Sequence, residues 1–192
     1  SVGATGNNIT LEDTNALVLD ATTATGTLDV TTSGALTQSA AVTAAGATTL
    51  DSDGNPITLT DGGNSFGDLT VSGSTVSITE NDVITDGAAW ATTGTTTLDA
   101  SGNNITLDEA GSTTGALELS GANATVTRTA AVELGDSTLT GTMDITTTGG
   151  DLTQSGGSTL SVGGTSTLDV GNDITLDEAT NDFATLAVSS GN

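Results

Sequence analysis

The six-residue stretch GNNITL occupies residues 6–11 and returns unchanged at residues 102–107. Two variants, GNPITL at residues 54–59 and GNDITL at residues 171–176, complete a set of four. The isoleucine of the stretch stands at Ile9, Ile57, Ile105 and Ile174, so that two equal intervals are followed by a longer one. These intervals are multiples of a unit of about 23 to 24 residues, and a repeat of that length is typical of a solenoid.

Each unit carries short runs in which apolar residues alternate with Thr, Ser, Asp or Glu. Examples are Ile9-Thr10-Leu11, Leu28-Asp29-Val30, Val76-Ser77-Ile78 and Leu117-Glu118-Leu119. A period of two predicts strands with one buried and one wet face. Gly and Asn between the runs tolerate the positive φ of sharp corners. The pattern predicts an all-β fold, a parallel β-helix of about eight coils with three short strands per coil.

The whole chain, residues 1–192, is predicted to form one β-solenoid domain without caps. Its sub-repeats are expected at residues 6–53, 54–101, 102–170 and 171–192. A β-sandwich is the rival fold, although it does not require phrases to recur at multiples of a coil length. Disorder is a second alternative because only 34% of the residues are hydrophobic and 2% aromatic.

The charge balance excludes several classes of partner. The chain has 24 acidic residues and one cation, Arg128, which gives a net charge of −23. Binding to a nucleic-acid backbone or to an anionic membrane surface needs clustered Lys and Arg. No apolar run approaches the ~20 residues of a membrane-spanning helix. The first residues, SVGATGNN, do not have the pattern of a signal peptide, and cysteine is absent.

The residue types argue against catalysis. Without His, Cys or Lys, the common nucleophiles and general bases are missing. Carboxylate pairs act in glycoside cleavage, but an acidic polysaccharide also needs clustered cations, and Arg128 is expected only to balance a neighbouring carboxylate. A polysaccharide-active or an ice-binding β-helix is a remaining alternative. The second requires a regular Thr array on one face.

Acidic residues recur at matching places in the repeats. One series, Asp51, Asp99 and Asp169, follows the residues Thr-Leu. Another, Asp108, Glu109, Asp177 and Glu178, follows Ile-Thr-Leu. Together these residues are the candidate Ca²⁺ ligands. Carboxylate oxygens in loops are the ligands that Ca²⁺ prefers. The alternative is a solvated, charged face that keeps a rod soluble. No other cofactor is expected.

The few large aromatic residues are predicted to have structural roles. Phe66 and Phe183 both stand in an N-x-F context, after Asn64 and Asn181, which predicts a recurring structural corner or a position in the core. Trp90 is the one Trp of the chain, and it is expected to be a bulky core residue in place of an aliphatic one.

The order LTQS…TTLD…GN-x-ITL…N-x-F…L-x-V, seen in residues 34–79, resembles the repeats of filamentous-haemagglutinin-like bacterial exoproteins. This resemblance implies a right-handed β-helical rod at the cell surface or outside the cell. It also implies a role in adhesion, biofilm or surface architecture. The function expected from it is an extracellular structural rod or a self-assembling fibre, and the alternative is a module that binds Ca²⁺ or carbohydrate.

Neither end of the chain shows a capping helix. An uncapped β-helix end exposes unpaired N–H and C=O groups, which recruit further strands. The expected partner is therefore the protein itself, through end-to-end stacking or as part of a longer repeat chain. A polysaccharide of the cell surface or matrix is a further expected partner, whereas nucleic acid and membrane insertion are not expected.

Overall fold

A computed structural model describes residues 1–191 as a stack of parallel β-strands without a helix. All strand pairs within this range are parallel. The strands wind into a β-solenoid of about nine turns, so the predicted fold class is confirmed. No helix of the described residues could span a membrane.

The strands are short, and most contain two to five residues. The first twelve are Thr5–Gly6 (β1), Ile9–Asp13 (β2), Leu17–Leu19 (β3), Thr22–Ala24 (β4), Leu28–Thr32 (β5), Leu36–Gln38 (β6), Val42–Ala44 (β7), Thr48–Asp51 (β8), Ile57–Leu59 (β9), Leu69–Gly73 (β10), Val76–Thr79 (β11) and Ile84–Thr85 (β12). The second twelve are Ala91–Thr92 (β13), Thr96–Asp99 (β14), Ile105–Leu107 (β15), Leu117–Gly121 (β16), Ala124–Arg128 (β17), Val132–Leu134 (β18), Ser137–Leu139 (β19), Met143–Thr147 (β20), Leu152–Gln154 (β21), Leu160–Val170 (β22), Ile174–Thr175 (β23) and Asp182–Ser190 (β24).

The strands stack in three columns, one for each side of the coil. In the first three coils the columns begin with β1-β4-β7, with β2-β5-β8 and with β3-β6-β9. Each of these coils therefore contributes three strands, as predicted. Backbone N–H and C=O groups bond to the coils above and below, which supplies the cohesion that a sparse hydrophobic composition does not.

One coil contains fewer residues than the unit of about 23 to 24 residues that was predicted from the sequence. Thr23 pairs with Thr43 on the next coil, across a sequence separation of 20. Ile9 likewise pairs with Leu28, and the step becomes longer near the end, where Met143 pairs with Ser166. The interval between copies of the GN-x-ITL stretch is thus not two coils but two coils and part of a third. The chain makes about nine turns instead of eight.

The repeated stretch consequently moves from one side of the solenoid to the next. Ile9 lies in the β2-β5-β8 column, Ile57 in the β3-β6-β9 column, and Ile105 in a third column with β12 and β17. The three sides of the coil give a strand similar surroundings, so the same short sequence can form a strand on any of them. The predicted unit of about 23 to 24 residues is therefore longer than the coils that follow Ile9, and the copies do not stack directly on each other.

Aliphatic side chains from all three columns fill the interior. Trp90 is 1% exposed and Phe66 is 5% exposed, and Phe183 packs half-buried against the same cluster. The predicted core position of Trp90 is therefore confirmed, and of the corner and the core the two phenylalanines occupy the core. The Trp90 indole N–H donates to the Leu69 carbonyl at 2.9 Å, which satisfies its one polar atom away from water.

Carboxylates on the outer surface are separated by hydroxyl residues. Among the strand ladders of residues 1–191, no register pair joins two acidic residues. Five aspartates have Ser or Thr both above and below in the register, namely Asp29, Asp51, Asp99, Asp144 and Asp169. Since neighbouring strands lie ~4.8 Å apart, stacked carboxylates are kept about two steps from each other. This spacing lowers the repulsion that a net charge of −23 creates.

We expect Thr31→Asp to lower the free energy of unfolding by about 1 kcal/mol at low salt, because it places like charges on adjacent strands. Thr31 is exposed and lies between Glu12 and Asp51 in the ladder. Thr58→Asp is the matched control, since Thr58 is also exposed but lies between Thr37 and Ser77. Urea unfolding at low and high salt measures both. Equal losses in the two variants would contradict the ladder rule.

Candidate functional site

The predicted Ca²⁺ ligands are dispersed over the solenoid. Asp51 ends β8, Asp99 ends β14 and Asp169 lies in β22, and these three aspartates belong to three different columns. Asp108 and Glu109 follow β15, and Asp177 and Glu178 follow β23. The candidate ligands are dispersed for the same reason as the copies of the GN-x-ITL stretch. Equivalent residues of successive repeats lie on different sides of the coil.

Two of these aspartates form tight turns ahead of the repeated stretch. The Asp51 carboxylate accepts a hydrogen bond from the Asp53 N–H at 3.0 Å, and Asp99 accepts one from Ser101 at 2.9 Å. Asp53 and Ser101 have φ of 50° and 49°, and the glycine after each is also left-handed. Two consecutive positive φ angles, followed by Asn, define a type I′ corner. The predicted corner of the GN-x-ITL stretch is therefore present at these two copies.

Three further candidate ligands take part in hydrogen bonds between coils, two of them through the backbone and one through its side chain. The N–H groups of Asp108 and Glu109 donate to the carboxylate of Asp86 at 2.8 and 3.2 Å. The side chain of Glu178 accepts from the Gly157 N–H at 2.8 Å. Within residues 1–191, no three or more His, Cys, Asp or Glu side chains come together in a group that could hold a metal ion. The Ca²⁺ assignment therefore remains a prediction from the sequence.

The most elaborate polar arrangement is a buried corner built from Gln38 and Asn64. Their amides exchange two hydrogen bonds, of 2.8 and 2.9 Å. Asn64 is fully buried and makes three further bonds, accepting from the Val42 N–H and donating to the carbonyls of Leu59 and Thr79. One side chain thus connects three successive coils at a place where the strands break.

The same amide pair occurs again near the end of the chain. Gln154 and Asn181 exchange bonds of 2.8 and 2.7 Å, and the Asn181 oxygen accepts from the Leu160 N–H at 3.0 Å. Gln154 belongs to the second LTQS phrase and Asn181 to the second N-x-F context. The two phrases recur together because their amides bond to each other across one coil.

A third corner has the same backbone plan but an ion pair in place of the amides. The interval that separates Ile9 from Ile57 also relates the residues of the two corners: it leads from Gln38 to Asp86, from Asn64 to Ser112 and from Glu80 to Arg128. The Ser112 hydroxyl accepts from the Trp90 N–H at 2.9 Å, as Asn64 does from Val42.

Arg128 replaces the donor groups of the missing amide. Its guanidinium donates to the carbonyls of Leu107 and Thr127 at 2.8 and 2.9 Å, which correspond to the Leu59 and Thr79 carbonyls of the first corner. It lies 3.8 Å from the carboxylate of Asp86, with 2% and 0% of the two side chains exposed. The expected role of Arg128 as a counter-charge is confirmed, and the pair is buried rather than on the surface.

Burial dominates the electrostatics of this ion pair. Desolvation raises the pKa of Asp86, although the N–H groups of Asp108 and Glu109 and the charge of Arg128 act in the opposite direction. Desolvation likewise lowers the pKa of Arg128, and the carboxylates of Asp86 and Asp108 oppose this shift. Two guanidinium nitrogens, Nε and Nη2, are buried without a hydrogen-bond partner. The corner therefore holds two charges at a considerable desolvation cost.

Glu80 is a second buried carboxyl group, and it has no cation beside it. Its side chain is 0% exposed; one oxygen accepts from the Phe66 N–H at 3.0 Å and the other has no hydrogen-bond partner. Burial, with a smaller contribution from Asp82, raises its pKa to about 8, against the effect of the Phe66 N–H. The group is therefore largely protonated in the folded protein at neutral pH.

These corner residues were not identified as functional positions from the sequence. The usable signal was the nearly constant separation, 26 and 27, between the Gln of LTQS and the Asn of N-x-F. The sequence also shows that Glu80 and Arg128 are separated by the same interval as Ile9 and Ile57. Because the two side chains have opposite charges, they were not recognised as equivalent positions.

We expect Asn64→Ala to lower the free energy of unfolding by about 3 kcal/mol or more, since several buried partners lose their hydrogen bonds. The partners are the Gln38 amide, the Val42 N–H and two carbonyls. Asn15→Ala is the control, because Asn15 is exposed. Urea unfolding measures both, and a loss below about 1 kcal/mol for Asn64→Ala would show that the corner is not structurally important.

Comparison with known proteins identifies a family. The sequence model of a family described as repeats of unknown function (DUF5649) matches residues 6–73, 65–120 and 121–190. No curated protein is similar enough to count as a match, and no solved structure is either. The three matched segments cover nearly the whole solenoid and differ in their boundaries from the sub-repeats predicted above.

Proposed function

Because the chain belongs to the DUF5649 family of repeats of unknown function, and its fold is that of a structural repeat protein, we propose that it is an extracellular structural rod. In this proposal the rod belongs to a large surface exoprotein or to a self-assembling fibre. It serves adhesion, biofilm or surface architecture, as the resemblance to filamentous-haemagglutinin-like proteins implies. We further propose that it is not an enzyme.

The observation that carries this proposal is the satisfaction of the backbone by the coil itself. Successive strands pair in parallel over the described length. The corners where strands break are closed by the buried ion pair Asp86–Arg128 and by the partly buried amide pairs Gln38–Asn64 and Gln154–Asn181. A structure of this kind needs no ligand to complete its interior. A fold that is stable without a bound ligand suits a rod outside the cell, where the concentrations of ions and ligands vary.

The acidic surface also supports a structural role in an aqueous setting. A net charge of −23, spread so that stacked carboxylates alternate with hydroxyl groups, keeps parallel rods apart laterally and in solution. The proposed partners are further repeats of the same kind; a polysaccharide of the surface or matrix is the partner in the alternative function, a carbohydrate-binding module.

The ligand independence of the rod is tested by thermal unfolding of the purified chain. We expect the melting temperature to be the same in EDTA, in millimolar Ca²⁺ and with neutral polysaccharides added. A rise of several degrees with Ca²⁺, reversed by EDTA, would favour a calcium-binding module instead. A rise with one polysaccharide alone would favour a carbohydrate-binding module.

The proposed location needs a separate experiment. Antibodies raised against the purified chain are applied to intact and to permeabilised cells of the source organism, with a cytoplasmic protein as the control. We expect intact cells to be labelled as strongly as permeabilised ones. Labelling that appears only after permeabilisation would exclude a surface rod.

A further inference from the structure

One side of the solenoid is interrupted after β7. The sheet β1-β4-β7 ends at that strand, and within residues 1–191 β12 pairs with β15 and not with β7. Residues 60–68 and 80–83 lie in the interruption and form no strand, apart from one bridge from Ser65 to Thr43. We call these two segments the seam. On the other two sides the ladders continue past it, through β8 with β10 and β9 with β11, so the seam can open without breaking them.

Hydrogen bonds near Glu80 hold the seam closed. The Asn81 N–H donates to the Asn64 carbonyl at 2.9 Å, and the Asn64 amide donates to the Thr79 carbonyl at 3.1 Å. The Phe66 N–H donates to the Glu80 carboxyl group at 3.0 Å. A change in the charge of Glu80 therefore acts directly on a contact between the two segments.

The charged groups on the elements around Glu80 are all carboxylates. The one Lys or Arg of the chain is Arg128, and it pairs with Asp86 at another corner. An ionised Glu80 in the closed seam is stabilised by the Phe66 N–H, while its second oxygen is buried without a hydrogen-bond partner. Burial of a charge with so few partners is unfavourable. The neighbouring carboxylates, on the seam and on β14, are Asp61, Asp68, Asp82 and Asp99.

We propose that the seam is a pH-sensitive latch, which stays closed while Glu80 is protonated and is released when Glu80 loses its proton. Opening brings the carboxylate into water, so its charge is no longer buried. Phe66, which is 5% exposed in the closed seam, becomes accessible at the same time. Because the β8-β10 and β9-β11 ladders hold the other two sides, the opening is a local unfolding and the solenoid remains folded.

The direction of the pH dependence follows from the protonation of Glu80 in the two states. Burial raises its pKa to about 8 in the closed seam, whereas the ordinary value of 4.5 applies once the seam is open. Opening therefore releases a proton between these pH values, and the opening constant increases about tenfold per pH unit. Below pH 4.5 the group is protonated in both states, and above about pH 8 it is ionised in both, so the opening constant is level in these ranges.

Amide hydrogen exchange of the full chain from pH 5 to 9 tests the latch. Protection factors are compared, because they remove the intrinsic pH dependence of exchange. We expect the protection of residues 61–68 to fall about 100-fold or more between pH 5 and 8 and then to level off. Because the opening is local, these residues should be less protected than β8 and β10 at every pH.

Two variants show whether Glu80 is responsible. In Glu80→Gln the protection of residues 61–68 should not depend on pH, because the amide has no proton to lose. Glu133→Gln removes one exposed carboxylate and should behave as the wild type. Constant protection in the wild type, or the same fall in Glu80→Gln, would overturn the proposal. Protection of the seam equal to that of β8 and β10 would overturn it as well, since opening would then require unfolding of the whole solenoid; this comparison needs the wild type alone.

Discussion

Arg128→Leu is expected to lower the free energy of unfolding by about 3 to 5 kcal/mol at pH 7, which is the usual cost of leaving a buried charge without its partner. The Asp86 carboxylate keeps the N–H donors of Asp108 and Glu109 but loses the guanidinium 3.8 Å away. The carbonyls of Leu107 and Thr127 also lose a buried donor. Urea unfolding of the wild type and the variant measures the difference.

The first corner provides a matched rescue of this loss. The triple variant Asp86→Gln, Ser112→Asn, Arg128→Leu introduces the amide pair found at Gln38 and Asn64 into the same backbone plan. We expect it to recover most of the stability lost in Arg128→Leu, because the new Asn reaches the carbonyls that Arg128 served. If the triple variant is as unstable as the single one, the two corners are not equivalent in the way that their common interval indicates.

Glu80→Gln is expected to stabilise the protein at alkaline pH and to change little at pH 5. The pKa of Glu80 is about 8 in the folded state, against 4.5 for an ordinary glutamate. The folded state therefore holds the proton more tightly than the unfolded state. The resulting stabilisation is complete below pH 4.5 and is lost progressively as the pH rises to about 8.

The variant has no carboxyl group to deprotonate, so its stability lacks this loss. Its advantage over the wild type should increase by about 1.4 kcal/mol per pH unit at most, and reach a plateau of roughly 3 to 5 kcal/mol above pH 8. Urea unfolding from pH 5 to 9 measures the advantage. Glu133→Gln, at an exposed position, controls for the loss of one negative charge. An advantage that does not depend on pH would mean that the buried carboxyl is not held protonated.

Glu80 and Arg128 are two buried ionisable residues whose burial is stabilised in different ways. Glu80 and Arg128 occupy equivalent positions, related by the interval that separates Ile9 from Ile57. At Glu80 the carboxyl group is buried alone and takes up a proton, whereas at Arg128 the cation is buried beside Asp86. Both sites depend on desolvation, so we expect the free energy of unfolding to respond more strongly to substitution at these two residues than at exposed carboxylates.

The sequence by itself was sufficient to predict the β-solenoid, since that fold depends on local and periodic features. Alternation in runs such as Ile57-Thr58-Leu59 determines which side chains face inward, and the turn residues at Asp53-Gly54 determine where the coil bends. The buried positions of Phe66 and Trp90 agree with the prediction made from the N-x-F context of Phe66 and from the bulk of Trp90.

The coil length and the partners of the polar residues were decided only in three dimensions. The interval from Ile9 to Ile57 is compatible with two long coils or with two shorter coils and part of a third, and only hydrogen-bond register distinguishes them. For that reason the acidic series could not be placed on one side of the rod. Arg128 was expected to balance a carboxylate, but the choice of Asp86 depends on which coils lie next to each other, because a buried charge pairs with what is near in space rather than in sequence.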